Sequence, residues 1–303
     1  MGRLISLVED GHPALPEVMA ALAPHAGHAH VIGLTGSPGV GKSTTTAALI
    51  AALREQGKRV AVLAVDPSSP FSGGALLGDR IRMEHHATDP GVFIRSVASR
   101  GHLGGLSFAT PQALRVLDAA GFDVVLLETV GVGQSEVEVA ARADTTVVIV
   151  APGMGDGIQA AKAGILEIGD VFVVNKADRD GADDTVRDLR HMIQLGNRER
   201  SVDWRTPVVR TVASRADGIP DLVNSLAAHW DWLTSTGALD ERRRRRAQAE
   251  IEAIALATLR RRLGDRGGLV PDALASAVAS GDTDVYAAAQ EVLDRLTGEP
   301  GRQ

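Results

Sequence analysis

Seven short apolar runs recur between positions 30 and 213, and their spacing constrains the fold more than any other feature of the chain. They span 30–36, 59–66, 92–98, 123–129, 145–152, 171–178 and 207–213, with strings such as VVLL and VVIV at their centres. Nearly continuous Val, Ile and Leu suit strands covered on both faces, the environment of a parallel sheet. Helical segments separate the runs, for example 43–56, with Gly57 placed just past its end. This alternation predicts an α/β fold, a doubly wound and mostly parallel sheet with helices on both faces. Before it, 1–29 reads as short helices broken by Pro13, Pro16 and Pro24. After it, 219–234, 239–263, 271–279 and 284–296 read as helices. The expected division is an N-terminal helical arm (1–29), a central α/β domain (30–236) and a C-terminal helical arm (237–303).

Composition narrows the function classes. With 44% hydrophobic residues the chain is not a disordered one, and with no Cys it has no disulfides, thiolate nucleophiles or Cys metal ligands. A net charge of −6 and 3% aromatics supply neither bulk attraction to nucleic acid or membrane nor a base-stacking platform. No apolar run approaches the roughly 18 residues of a membrane span, and MGRLISLVED lacks a signal-peptide pattern, so a cytoplasmic location is expected. The five arginines at 242–246 go round a helix, which reads as a solvated or dimer-rim segment. Of 32 basic residues only Lys42, Lys58, Lys162 and Lys176 are lysines, which makes their positions worth following.

The strongest motif is GSPGVGKS, formed by Gly36, Ser37, Pro38, Gly39, Val40, Gly41, Lys42 and Ser43, with a strand pattern before it and Thr44 opening a helical one after it. Glycines there let backbone N–H groups converge on phosphate oxygens at a helix N-terminus, Lys reaches the β/γ-phosphates, and the Ser hydroxyl suits Mg²⁺. Asn175, Lys176, Ala177 and Asp178 form NKAD at the end of the sixth run. Its Asp carboxylate can accept from guanine N1–H and the 2-amino group, donors that adenine lacks. Glu128 ends the fourth run, the position that holds Mg²⁺ directly or through water, and Gly131 and Gly133 follow it. Asp66 ends the second run and Asp79 lies on a Gly-rich loop, so both are candidate Mg²⁺ ligands, with solvated loop carboxylates as the alternative. Gln134 either orients water or serves as a switch contact, and no residue is marked as a general base.

Taken together, GSPGVGKS, VDPSSPFSGGALLGDRIRM, ETVGVGQSE, PGMGDGIQAAKAGILEIGD and VVNKAD resemble the methylmalonyl-CoA mutase-associated GTPases over nearly the whole chain. Those are metallochaperones of the SIMIBI class of P-loop proteins. The resemblance implies GTP/GDP and Mg²⁺ as ligands, with Ser43 and the Asp79 loop on the metal and Asp66 and Glu128 nearby. It implies switch regions near Asp79, at 131–136 and around Gly153, Asp156 and Lys162, and a guanine-backing loop at Val212, Ala213 and Ser214. It also implies a homodimer formed by the C-terminal helices. The implied partners are an adenosylcobalamin-dependent acyl-CoA mutase and an adenosyltransferase. The implied activity is hydrolysis of GTP to gate loading and protection of that mutase. An ATP-dependent kinase of an amino-acid transport system is the alternative, which NKAD disfavours. A protein-targeting GTPase would read D-T-A-G-R where this chain has ETVGVG, and a nickel-insertion GTPase would bring Cys ligands.

Overall fold

The computed structural model describes residues 1–67, 86, 88–99, 109–129, 135–153, 165–197, 204–264 and 270–297. Asp79, Gly131, Gly133, Gln134, Asp156 and Lys162 lie outside the described residues, as does the side chain of Asp66. The chain divides into two compact units, Met1–Arg246 and Ala247–Gln303.

The first unit is built on seven strands, β1 (His30–Thr35), β2 (Val60–Pro67), β3 (Val92–Ser99), β4 (Val124–Thr129), β5 (Thr145–Val150), β6 (Val171–Asn175) and β7 (Val208–Thr211). They form one sheet in the order β3-β2-β4-β1-β5-β6-β7. Every pairing is parallel. Alternate residues of the same strand enter different cores, because side chains of a strand point to opposite faces. Val60, Val62, Val124, Leu126, Val147 and Ile149 pack with α3 (Lys42–Glu55) and the helix Ile219–Thr236. Ala61, Leu63, Val125 and Leu127 pack with α1 (Gly2–Glu9) and α4 (Ala109–Ala119), and Val139 of α5 (Ser135–Arg142) joins them. Val148, Val150, Phe172 and Val174 face the helix Ala182–Asn197. Apolar side chains on both faces are why the strands read as continuous runs.

Pro16 departs from the sequence reading. It lies in the first turn of α2 (Leu15–Leu22) instead of breaking a helix. The first turn has no partner for a backbone N–H, so proline costs nothing there.

The arginine run departs further. Three of its members are half-buried against the amino ends of the strands. Arg243 Nη2 donates to Asp144 Oδ2 at 3.0 Å, Arg246 donates to Asp144 Oδ1, and Arg242 grips both oxygens of Asp170 at 2.8 and 2.9 Å. Asp144 stands just before β5 and is fully buried, with Val31 N donating to it at 3.0 Å. Burial pushes the Asp144 carboxyl up, but Arg246 and Arg243 more than reverse that and hold it below its ordinary value. Arg244 and Arg245 remain exposed, paired with Glu241. A single stripe was not needed: a helix crossing close under the sheet presents three of five consecutive side chains to it.

Beside this clamp, Thr145 Oγ1 lies 2.7 Å from His30 Nε2 and 2.8 Å from His229 Nδ1, all within the core. His229 Nε2 lies 3.4 Å from Asp170 Oδ1. Burial lowers the His30 imidazole from its ordinary 6.5 to about 3, so the ring is neutral.

In the second unit, the rest of the helix Ala238–Gly264 is followed by the helices Asp272–Ser280 and Val285–Thr297. Ile251, Leu256, Tyr286 and Leu293 are exposed there. Among the described residues no helix is long and apolar enough to cross a membrane.

Candidate nucleotide site

The strand order places a crevice at the carboxyl ends of β1 and β4. From β1 the chain first crosses to β2 and β3, then returns to fill the gap with β4, and continues on the other side of β1 with β5. Ligands of open α/β sheets bind outside the carboxyl ends at such a reversal. The loop from β1 to α3 is GSPGVGKS.

Its path depends on glycine at two places. Gly36 has φ 143° and its missing Cβ would stand 2.1 Å from Ile149 O, so the loop hugs β5. Gly41 has φ 98°, and a Cβ there would meet Asn175 Nδ2 at 2.3 Å. Lys42 and Ser43 then open α3 as buried residues, and Thr44 faces solvent. Lys42 Nζ donates to Gly36 O at 2.7 Å and Ser37 O at 3.2 Å, which holds the ammonium within the curl of the loop.

Glu128, only 2% exposed, accepts from Ser43 Oγ at 2.8 Å and from Thr46 Oγ1 at 2.9 Å. Its neighbour in register on β2 is Ala64, so the backbone of Asp66 continues β2 past that level, alongside the exit of β4. Thus Ser43 and Glu128 meet, Lys42 stands next to Ser43 in the chain, and the strand pairing brings the backbone of Asp66 to the same edge of the sheet. Gly153, with φ 81°, ends the described stretch after β5.

The NKAD segment is tied to the loop from β1 to α3. Asn175 is buried at the end of β6 and Nδ2 donates to Val40 O at 2.8 Å. Its Oδ1 accepts from Thr211 Oγ1 and from Ala213 N, each at 3.1 Å. Lys176, at φ 57°, reaches back so that Nζ donates to Gly39 O at 2.7 Å. Asp178 is half-exposed and Arg215 stands 3.4 Å from it. One side chain, Asn175, therefore fixes three loops.

That arrangement sorts the backing loop. Val212 N donates to Asp217 O at 3.0 Å, and Ala213 N is taken by Asn175. Ser214 N donates to no described group, so of these three it is the backbone donor left for a ligand. The motif readings did not reveal Thr46 or Arg215. A run of three threonines after Ser43 was the only sequence signal for Thr46.

Comparisons with known proteins agree with this geometry. A relative from Pyrococcus abyssi (strain GE5 / Orsay) is 46% identical over 300 residues, covering 98% of this chain and 92% of its own. GTPase ArgK of Escherichia coli (strain K12) is 39% identical over 254 residues, covering 82% of this chain and 76% of its own. A crystal structure of an LAO/AO transport system kinase superposes with a TM-score of 0.70 at 28% identity, covering 98% of this chain and 92% of that one. The family described as methylmalonyl Co-A mutase-associated GTPase MeaB matches residues 1–266. By that match and these relatives the chain belongs to the MeaB family of GTPases and is a GTP hydrolase.

Proposed function

We propose that this GTPase gates the loading of adenosylcobalamin onto an acyl-CoA mutase and protects the loaded enzyme, with methylmalonyl-CoA mutase as its client. The observation that carries the reading is the family match over residues 1–266, whose description ties the family to that mutase. The buried Ser43–Glu128 pair and the buried Lys42 in the curl of the loop support the nucleotide half. Dimerisation through the C-terminal helices is part of the proposal, supported by the exposed Ile251, Leu256 and Tyr286.

A hydroxyl and a carboxylate, both buried and both oxygen donors, fit a hard divalent cation such as Mg²⁺. Ser43 would hold it, with Glu128 beside it and Asp66 and Asp79 as further oxygen donors. Bound there, Mg²⁺ neutralises charge developing on the phosphates. The chain's own residues do the rest. Lys42 leaves the Gly36 and Ser37 carbonyls for the β/γ-phosphates, and the loop N–H groups orient the triphosphate for attack by water. Asp178 leaves Arg215 to accept from guanine, with Ser214 N–H directed at the base. Gln134 and the segments at Gly131, Gly133, Gly153, Asp156 and Lys162 relay the nucleotide state to the partner.

The test is co-purification with candidate acyl-CoA mutases, with and without a non-hydrolysable GTP analogue. Nucleotide-dependent capture of one mutase supports the reading, and capture of none under any nucleotide would sink the client assignment. Base choice has its own check. Asp178→Asn should weaken GTP at least tenfold and favour xanthosine triphosphate, because each hydrogen bond to a charged group is worth about 1.5–3 kcal/mol. Competition by ATP as effective as by GTP would instead favour the transport-kinase reading.

A further inference from the structure

Two hydroxyls from α3 hold the carboxylate at the end of β4, and only one of them belongs to the phosphate-loop motif. Ser43 Oγ donates to Glu128 Oε1 at 2.8 Å. Thr46 Oγ1 stands 2.9 Å from Glu128 Oε2 and is fully buried. Thr45 next to it is equally buried, and its hydroxyl makes the ordinary helical back-bond to Gly41 O at 3.0 Å. Thr46 has the same choice, Lys42 O at 3.0 Å, yet a hydroxyl has one proton to donate. A charge-assisted bond to a carboxylate is roughly twice as strong as a neutral one, so the proton goes to Glu128.

Positions 43 and 46 are one turn apart and share a helix face, so the carboxylate is held at both ends by one rigid element. With Oε2 fixed, the carboxylate cannot rotate about its last bond, and Oε1 stays on the Ser43 hydroxyl. A Ser43 hydroxyl that donates to Glu128 points its oxygen lone pairs away from that carboxylate. We propose that Thr46 is a positioning residue that acts through Glu128 and Ser43 to set the divalent-cation site of the nucleotide complex. The inference rests on the Mg²⁺–GTP reading above and adds to it a residue that the nucleotide-binding motifs do not contain. Groups that orient metal ligands typically matter ten- to a hundredfold in metal affinity or activity.

The experiment titrates Mg²⁺ into the full chain with a fluorescent non-hydrolysable GTP analogue, for wild type, Thr46→Val, Thr46→Ser and Thr46→Ala. Melting temperatures without nucleotide and analogue binding in EDTA are measured alongside. Thr46→Val keeps the shape and removes the hydroxyl. It should raise the half-saturating Mg²⁺ concentration about tenfold, leave binding in EDTA as in wild type, and lower the GTP turnover number more than it raises KM. Thr46→Ser, which keeps the hydroxyl, should restore the wild-type midpoint. A purely structural Thr46 would move the melting temperature alone, so a wild-type Mg²⁺ midpoint in Thr46→Val overturns the assignment. Should the valine variant not fold, Thr46→Ala and Thr46→Ser make the same comparison, and equal midpoints in those two overturn it. If wild type binds the analogue without any Mg²⁺ dependence, the Mg²⁺–GTP reading fails first and takes this inference with it.

Discussion

At the carboxyl end of the sheet, Lys42 rests on two backbone carbonyls, Asp178 meets Arg215 only at 3.4 Å, and Ser214 N–H donates to no described group. At the amino end, Asp144 and Asp170 are each gripped by arginines, and Thr145 bridges two buried imidazoles. Lys42 and Asp178 thus have partners that a ligand can exchange, beside the fixed Glu128 and Asn175, whereas the charged groups at the amino end are bound in place. The physical reason is desolvation. A charge without fixed partners must stay near water or a ligand, whereas a buried charge persists only when paired and hydrogen-bonded. Function and stability should therefore separate along the strand axis.

The largest effect should come from breaking the amino end. Asp144→Ala leaves Arg243 and Arg246 without their shared carboxylate and should cost about 3–5 kcal/mol in chemical denaturation. Where the variant is still folded, its GTP affinity should match wild type. A large loss of affinity with unchanged stability would overturn the division.

Next comes the carboxyl end. Lys42→Ala should lower GTP turnover about a hundredfold or more, the scale for losing one donor to developing transition-state charge. Its melting temperature should barely move, since the described side-chain hydrogen bonds of Lys42 go to the Gly36 and Ser37 carbonyls of the loop. A variant that melts much earlier would mean that Lys42 is as structural as Asp144.

A pH titration sharpens the comparison. The His30 imidazole has a folded value of about 3 against its ordinary 6.5. The unfolded chain takes up the proton first, so stability is intact above about pH 6.5 and falls as pH drops toward 3. The slope should be about 1.4 kcal/mol per pH unit. Replacing His30 with Asn should flatten denaturation midpoints measured between pH 6 and 5, and an unchanged slope would assign the acid sensitivity elsewhere. Asp170, with burial outweighed by His229 and Arg242, is held at about 2 and adds stability that is present above its ordinary 3.8 and lost below it.

The smallest effect should be at Glu241. It pairs with Arg244 and Arg245 at the surface, where ion pairs contribute little. Glu241→Ala should leave the melting temperature unchanged within error, in contrast to Asp144→Ala. A marked drop would show that the exposed members of the arginine run belong to the clamp after all.

Local pattern alone determined much of this protein. Apolar runs placed all seven strands within a few residues of their observed ends, since covering both faces of a strand demands such runs. Gly36–Ser43, Glu128 and Asn175–Asp178 were legible because each combines a residue type with a strand end. The tertiary structure decided which partners meet. Arg243 lies 99 positions from Asp144 and Arg242 lies 72 from Asp170, and Thr46 lies 82 from Glu128. Ala213 N is spent on Asn175 only because β7 lies beside β6, whereas Val212 N meets Asp217 O within its own segment. Periodicity reports which face a residue turns toward. It carries no information about strand order, and strand order is what brings the carboxylate, the hydroxyls and the arginines together.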